Sequence, residues 1–227
     1  FAQAKFLFMV KVVAFLLTIV LLLSCSDLYP QVHRFGDPME LPYNINGQAS
    51  EIMPLLSYDG TYLFFSRSGL DSNKGGKYAG HDIWVSEQLA SGWTRASNTF
   101  FNFNTKGNDA IIGVDNTGTL MYLMRTFPGK RVKGIYLTRK ANGKWSEPEL
   151  VPIEGVESQA SVGFYVHPDG DLLLVSMHAA DSRGQEDLYI CFKRQDNTWS
   201  KPKNLGTAIN TPGIEISPFL SADKRRL

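Results

Sequence analysis

Cysteine is all but missing: two residues in a chain of 227, at 25 and 191, cannot build a disulfide framework. A surplus of charge is missing too. The formal net charge is +1, and Lys5 and Lys11 both precede Cys25, where no acid stands, so everything after Cys25 carries −1. A near-neutral body has no basic field for nucleic acid, and that class of partner is excluded. No G-x-S-x-G elbow, phosphate loop or Cys–His pairing appears, and His33, His81, His167 and His178 have no ligand spacing, so neither a metal nor another cofactor is expected. No repeated segment has the length and amphipathic period of a helix, which removes helical and leucine-rich solenoids. What remains is 43% hydrophobic, 12% aromatic and rich in glycine, the composition of an all-β protein with a sizeable core.

The first segment reads as an address. From Val12 to Leu23 the chain is apolar except for Thr18, with Lys11 before it and Ser26-Asp27 after the Cys. A basic residue, a 12-residue apolar run and a small residue before a cleavage point make a helical export signal. The Leu22-Leu23-Ser24-Cys25 ending resembles the bacterial lipobox, which implies that Cys25 is lipidated and begins the mature protein. Met9 is then the true start and Phe1–Phe8 upstream translation. The alternative is an uncleaved anchor over Phe6–Leu23. Either way the body lies outside the cytoplasm, in the cell envelope. Residues 1–25 are the signal, 26–38 a linker and 39–227 the folded part. Cys191, alternating with charged residues in YICFKR, is expected to be a buried thiol on a strand.

The body repeats itself. SYDGTYLFFSR (57–67), DNTGTLMYLMR (115–125) and HPDGDLLLVSM (167–177) each place a turn before an apolar strand, with Gly60, Gly118 and Gly170 spaced 58 and 52. A second strand follows in HDIWVS, KGIYLT and EDLYIC, where Ile83, Ile135 and Leu188 are spaced 52 and 53. A third element carries Trp93, Trp145 and Trp199, spaced 52 and 54. Three markers thus keep one period of about 53. Asp-Gly or Thr-Gly between apolar runs is a tight turn, since glycine takes positive φ without steric cost. A short strand also precedes each turn glycine, so one period supplies four strands. Four strands repeated at this length predict a β-propeller with blades at 47–104, 105–156 and 157–210 and an incomplete fourth at 211–227. On this expectation the chain is a fragment, and Met39–Asn46, which resembles Pro202–Asn210, supplies the outermost strand of a last blade that is missing.

The string E-x-x-P-x-x-S-x-D-G, an apolar strand ending Phe-Ser, and then Asp-Ile-aromatic resembles the TolB-type, WD-repeat-like propeller repeat. Glu51, Pro54, Ser57, Asp59, Gly60, Phe65, Ser66 and Asp82-Ile83-Trp84 match it, and Glu215, Pro218, Ser221 and Asp223 begin a further copy with Lys224 at the glycine. The stretch from Trp199 to Thr211 is similar to the version in Bacteroidetes envelope lipoproteins, where such propellers often precede an OmpA-like peptidoglycan-binding domain. The second copy departs from the pattern at Gly113, Asp115 and Gly134, and the third at Ser161. The resemblance implies an envelope protein or peptidoglycan-associated partner and membrane attachment through the lipid.

Candidate sites follow from the same register. Asn46/Glu51, Asn104/Asp109 and Asn210/Glu215 are each five apart just before a first strand, while the third copy has Val156/Ser161. Their acids would ring the mouth of a central channel and hold a cation or a basic peptide. The competing reading, favoured because repeats keep structural positions, has each side chain satisfying backbone N–H groups at a crossing between blades. Gly69–Gly80 is the one long insertion, with a faint calcium-loop echo at Asp71-x-Asn73-x-Gly75, and is expected to be a flexible rim loop of the kind that carries binding residues. The tryptophans would stack on sugars or pack between blades, and their period favours packing, with Trp145 between blades two and three. Ser57, Asp59, Gly60 and Thr61 also resemble the sialidase repeat, in one copy only and without its Trp. A glycosidase needs a carboxylate pair across the channel, for which Glu51 and Asp109 are the candidates. The reading favoured is a non-catalytic binding scaffold; a glycan-active enzyme is the alternative.

Overall fold

The computed structural model describes residues 36–99, 103–127, 134–156 and 161–227. The export segment with Met9 and Cys25, and the linker up to residue 35, lie outside the described residues. The chain divides into two units, Phe1–Glu40 and Leu41–Leu227. In the first, residues 36–40 have no regular structure; the second holds every described strand.

Each sequence period folds as one antiparallel meander, and no helix occurs among the described residues. The first sheet is β1 (Ser50–Leu56), β2 (Tyr62–Ser68), β3 (Asp82–Leu89) and β4 (Gly92–Trp93). The second is β5 (Asn108–Val114), β6 (Leu120–Thr126), β7 (Gly134–Ala141) and β8 (Lys144–Trp145), with β9 (Glu149–Leu150) also on β7. The third is β10 (Ser161–Val166), β11 (Leu172–Met177), β12 (Asp187–Phe192) and β13 (Lys203–Asn204). The central strands β2, β6 and β11 are buried almost throughout, as expected of strands covered on both faces.

The fourth strand is shorter than its sequence pattern suggests. It runs for two residues in each sheet, and Trp199 makes only a single bridge to Lys193. Pro148 and Pro202, three residues beyond Trp145 and Trp199, have no N–H to offer a ladder. A short outer strand also leaves little edge for unwanted pairing.

The repeated turn is stapled by its own side chains. Ser57 Oγ donates to Asp59 Oδ1 at 2.6 Å and accepts from Tyr62 N at 2.8 Å, while Thr61 N donates to Asp59 Oδ1. Ser221 and Asp223 repeat this arrangement. In the second sheet Asp115 does both jobs, taking Thr119 N and Leu120 N on Oδ1. Gly60, Gly118 and Gly170 all have positive φ, as does Lys224 in the fourth copy at 57°.

Each first strand carries one extra residue against its partner, a bulge between Ile52 and Leu55, Ile111 and Gly113, and Ser161 and Gly163. The second copy's departure at Gly113 has a tertiary cause. A Cβ there would lie 2.7 Å from the Val166 carbonyl of the neighbouring sheet.

Most of the core lies between successive sheets. Phe64, Ile83, Phe103, Ile111, Met121 and Leu123 fill the space between the first and second. Tyr122, Ile135, Phe164, Val175, Tyr189 and Trp199 belong to the cluster between the second and third. The tryptophans keep a consistent direction, and it is not the expected one. Trp145 packs on the cluster between the first and second sheets, so each of these tryptophans faces the preceding sheet rather than the following one. Trp199 is buried against Tyr122, ring edge to face at 6.1 Å, whereas Trp145 is only partly covered. Cys191 is fully buried, and burial pushes its thiol up to about 12.

Residues 213–221 dock on the third sheet as β5 docks on the first. Asp109 N donates to His81 O and Glu215 N to Glu186 O, both at 2.8 Å. Ser66 Oγ donates to Asp109 O, and Ser176 Oγ to Glu215 O. The serine of the Phe-Ser motif is therefore a clasp between one repeat and the next. Pro42–Asn46 and Gly206–Asn210 likewise form the same turn, with Asn46 N donating to Pro42 O and Asn210 N to Gly206 O.

Candidate functional site

The first strands of the three sheets, together with Ser217–Phe219, surround a cavity of about 710 Å³. Its wall is mostly apolar, with Ile52, Met53, Leu55, Ile112, Phe164 and Phe219. One corner is polar. His81 Nδ1 donates to Asn108 Oδ1 at 2.7 Å, and Asn108 Nδ2 donates to Thr126 Oγ1 at 3.0 Å. His81 thus turns to Asn108, not to Asp82 beside it.

None of the six residues expected at a channel mouth lines this cavity. Glu51 accepts from Arg67 Nε at 2.9 Å and from Gly47 N, and the Arg67 guanidinium also reaches Ile45 O. Asp109 is fully buried; Oδ1 accepts from Arg125 Nε at 3.1 Å, Oδ2 from Thr105 N and Oγ1, and Arg125 also binds Phe103 O. Arg67 lies over the Trp84 ring at 4.6 Å and Arg125 over the Tyr136 ring at 5.2 Å. Each acid is therefore one half of a lock that ties the incoming chain to its own second strand. Burial pushes the Asp109 carboxyl above its ordinary value of 3.8, opposed by the Thr105 bonds and the Arg125 charge. Glu215 accepts from Thr211 Oγ1 on Oε1, and its buried Oε2 has no hydrogen-bond partner among the described residues.

The third sheet lacks both halves of the lock, with Ser161 at the acid position and Met177 opposite it. Loss of acid and arginine together at a fixed offset of 16 was the signal in the sequence that identifies them as a pair.

The asparagines act as surrogate strand residues. Asn104 accepts from Ile83 N at 2.7 Å and donates to Ile83 O at 3.1 Å; Asn210 does the same to Leu188, at 2.9 and 3.0 Å. Each amide pairs the backbone of a third strand across a sheet end, as a neighbouring residue would. The Asn46 side chain instead donates from Nδ2 to Leu41 O at 3.0 Å.

Gly69–Gly80 is stapled to its own sheet and is not the slack rim loop expected from composition. Asn73, buried within it, donates to Arg67 O at 2.8 Å and accepts from Trp84 Nε1 at 3.3 Å. Lys74 N donates to Asp82 Oδ2, and Asn98 Nδ2 donates to Ser72 O. Tyr78 stands out from this anchored loop at 95% exposure.

Asp82 and Asp187 occupy one repeat position in different electrostatic settings. Asp187 is pushed up by burial, but bonds from Arg183 N, Asn204 Nδ2 and Gly184 N outweigh this and hold it below 3.8. Asp82 is raised by burial; Oδ2 accepts from Lys74 N and Asn98 Nδ2, and the buried Oδ1 has no partner among the described residues. The stabilisation from Asp187 is present above 3.8 and lost as pH falls through its lowered value. Asp82 acts oppositely: its contribution is complete below 3.8 and disappears as pH rises through its raised value. Urea denaturation at pH 7 should therefore show Asp187→Asn losing about 1–3 kcal/mol and Asp82→Asn less than about 1 kcal/mol. Equal losses would contradict this account.

His167, Asp169 and Asp171 bring three ligand-type atoms within 4.8 Å, a cluster that the histidine spacing did not reveal. Lys224 Nζ already sits on both carboxylates at 2.8 Å and holds Asp169 below its ordinary value. His167 Nδ1 accepts from Asp169 N, and Nε2 donates to Ser221 O. The cluster is a clasp between the third sheet and residues 221–224.

No family model matches the chain, and no curated protein matches it. Among solved structures, a protein assigned as a 6-phosphogluconolactonase from Bacteroides uniformis aligns over 78% of this chain and 46% of its own, at 15% identity and TM-score 0.42. Hydrazine synthase from Kuenenia stuttgartiensis aligns over 75% of this chain and 46% of its own, at 14% identity and TM-score 0.43. The chain spans about half the length of these structures.

Proposed function

We propose that the three sheets are blades of a TolB-type β-propeller and that the protein is a non-catalytic binding scaffold of the cell envelope. In this reading Cys25 carries the lipid anchor, and the partner is an envelope protein or a peptidoglycan-associated component. The observation that carries the proposal is the use made of the repeated polar residues. Glu51, Asp109, Asn104 and Asn210 hold one segment to another, while an anchored loop presents Tyr78 to solvent. A rigid, exposed aromatic loses little entropy on binding and is a frequent hot spot. The glycosidase alternative needs Glu51 and Asp109 facing a substrate, and both are engaged by arginines.

The test uses the lipidated chain with purified outer membrane and peptidoglycan. Tyr78→Ala should abolish co-sedimentation with the target fraction without changing stability. Cys25→Ala should release the protein from its own membrane and end labelling by a fatty-acid probe. Turnover of envelope glycans by the wild type, lost in both Glu51→Gln and Asp109→Asn, would overturn the scaffold reading.

A further inference from the structure

Between the first and second sheets, at the ends carrying the 57–60 and 115–118 turns, lies a groove of about 230 Å³. Its aromatic members are Tyr58, Tyr62, Phe64 and Trp145. Tyr58 is 59% exposed at the lip. Tyr62 is stacked on Phe64 at 6.1 Å and 27°, so its ring is held flat, and Trp145 is backed by the core between the sheets with Lys140 Nζ 5.8 Å from its ring. Asp59 stands beside them as an acceptor, with Ser57 Oγ and Thr61 N on Oδ1 and the Thr61 hydroxyl also bonded to the carboxylate. Buried Val114 and Met121 form an apolar floor.

This groove departs from the repeat. The second sheet has Asn116 and Leu120 where the first has Tyr58 and Tyr62, and the third has Pro168 and Leu172. At the following interface Trp199 is buried against Tyr122, whose hydroxyl accepts from Lys193 Nζ, and the smaller pocket of about 170 Å³ beside them is otherwise lined mostly by aliphatic and charged residues such as Leu137, Arg139 and Glu149. Structural roles recur with the fold, as the turn staples and the backbone clasps do. Tyr58 and Tyr62 occur in one copy alone, and with the repeated Trp145 they leave a half-open aromatic face beside a carboxylate and an ammonium.

We propose that the groove binds one N-acetylhexosamine residue of a glycan. Flat, fixed aromatic rings suit the C–H face of a pyranose, and Asp59 and Lys140 offer an acceptor and a donor for its hydroxyls. The Val114–Met121 floor suits an acetamido methyl. Asp59 and Asp115 against the single Lys140 disfavour an anionic sugar. At this volume the groove admits one ring, with neighbouring residues of the glycan left in solvent.

The proposal deepens the scaffold reading by naming the chemistry of a cell-wall ligand, and the two fail separately. The probe is the N-acetylglucosamine trimer, titrated into the full chain by calorimetry and tryptophan fluorescence, with the glucose trimer as comparison. The acetylated trimer should bind at least about tenfold more tightly than the glucose trimer, and Tyr58→Ala should weaken it about tenfold or more. Lys140→Ala should weaken it by a smaller factor, with the far-ultraviolet dichroism of both variants unchanged. Absence of binding to the acetylated trimer, binding that both variants leave intact, or equal affinity for the two trimers would overturn the assignment. Cleavage of the bound trimer would overturn the non-catalytic reading and leave the groove's binding standing; loss of the Tyr78 effect would leave the groove untouched.

Discussion

Asp109→Ala should destabilise the protein by about 3–5 kcal/mol, because it strands the Arg125 guanidinium in the interior. Asp109 is fully buried and Arg125 nearly so, and the pair also fixes Phe103 O and Thr105 N. The third sheet shows how the fold manages without the lock, with Ser161 and Met177 at the equivalent positions. The double change Asp109→Ser with Arg125→Met should therefore recover more than half of the single-variant loss. An apolar pair of matching shape can replace a buried ion pair at little net change, whereas half a pair cannot. Urea denaturation of both single variants and the double measures the coupling. Additive losses would show that the two side chains act independently and would remove the pairing argument. The same changes at Glu51 and Arg67 should lose less, since the Glu51 side chain is 20% exposed and water already screens it.

Trp199→Ala should lose a comparable amount, about 3–5 kcal/mol, as removal of a buried indole leaves a cavity its neighbours fill only in part. Trp199 is 4% exposed and packs edge to face on Tyr122 between the second and third sheets. Trp145→Ala should lose roughly half as much, because that indole is partly open to the groove it lines and buries less surface. Thermal or urea unfolding of the two variants, read against each other, tests the placement. A larger loss at Trp145 than at Trp199 would mean that the tryptophans are not ordered by their cover as described.

The unequal tryptophans show where reading along the chain stops. Their spacing announces a repeated packing role, yet nothing in the spacing says which neighbour each one meets. Direction depends on how successive sheets are rotated against one another, and that rotation follows from contacts such as Val166 over Gly113. The loop Gly69–Gly80 makes the same point. Its glycines and small polar residues suggest slackness, but Asn73 finds Arg67 O and Trp84 Nε1 only after β2 and β3 have paired.

What the sequence determined by itself is local: the period, the four-strand unit, the staple of Ser57, Asp59 and Gly60, the unbroken apolar runs that bury β2, β6 and β11. These depend on φ preferences, on hydrogen bonds spanning two to five residues, and on side chains that alternate across a strand. The acid on the first strand of the first and second sheets was legible as a repeated residue, and its arginine 16 positions on was there to be found, but the reason for the pair was not. Only the tertiary structure decided that these carboxylates face an arginine and backbone N–H groups rather than a cavity, and that Trp145 is left partly open in a groove while Trp199 is buried against Tyr122. A carboxylate looks the same in sequence whether it meets water, a cation or a guanidinium. Which of these it meets is set by burial and by the chain that the fold brings against it.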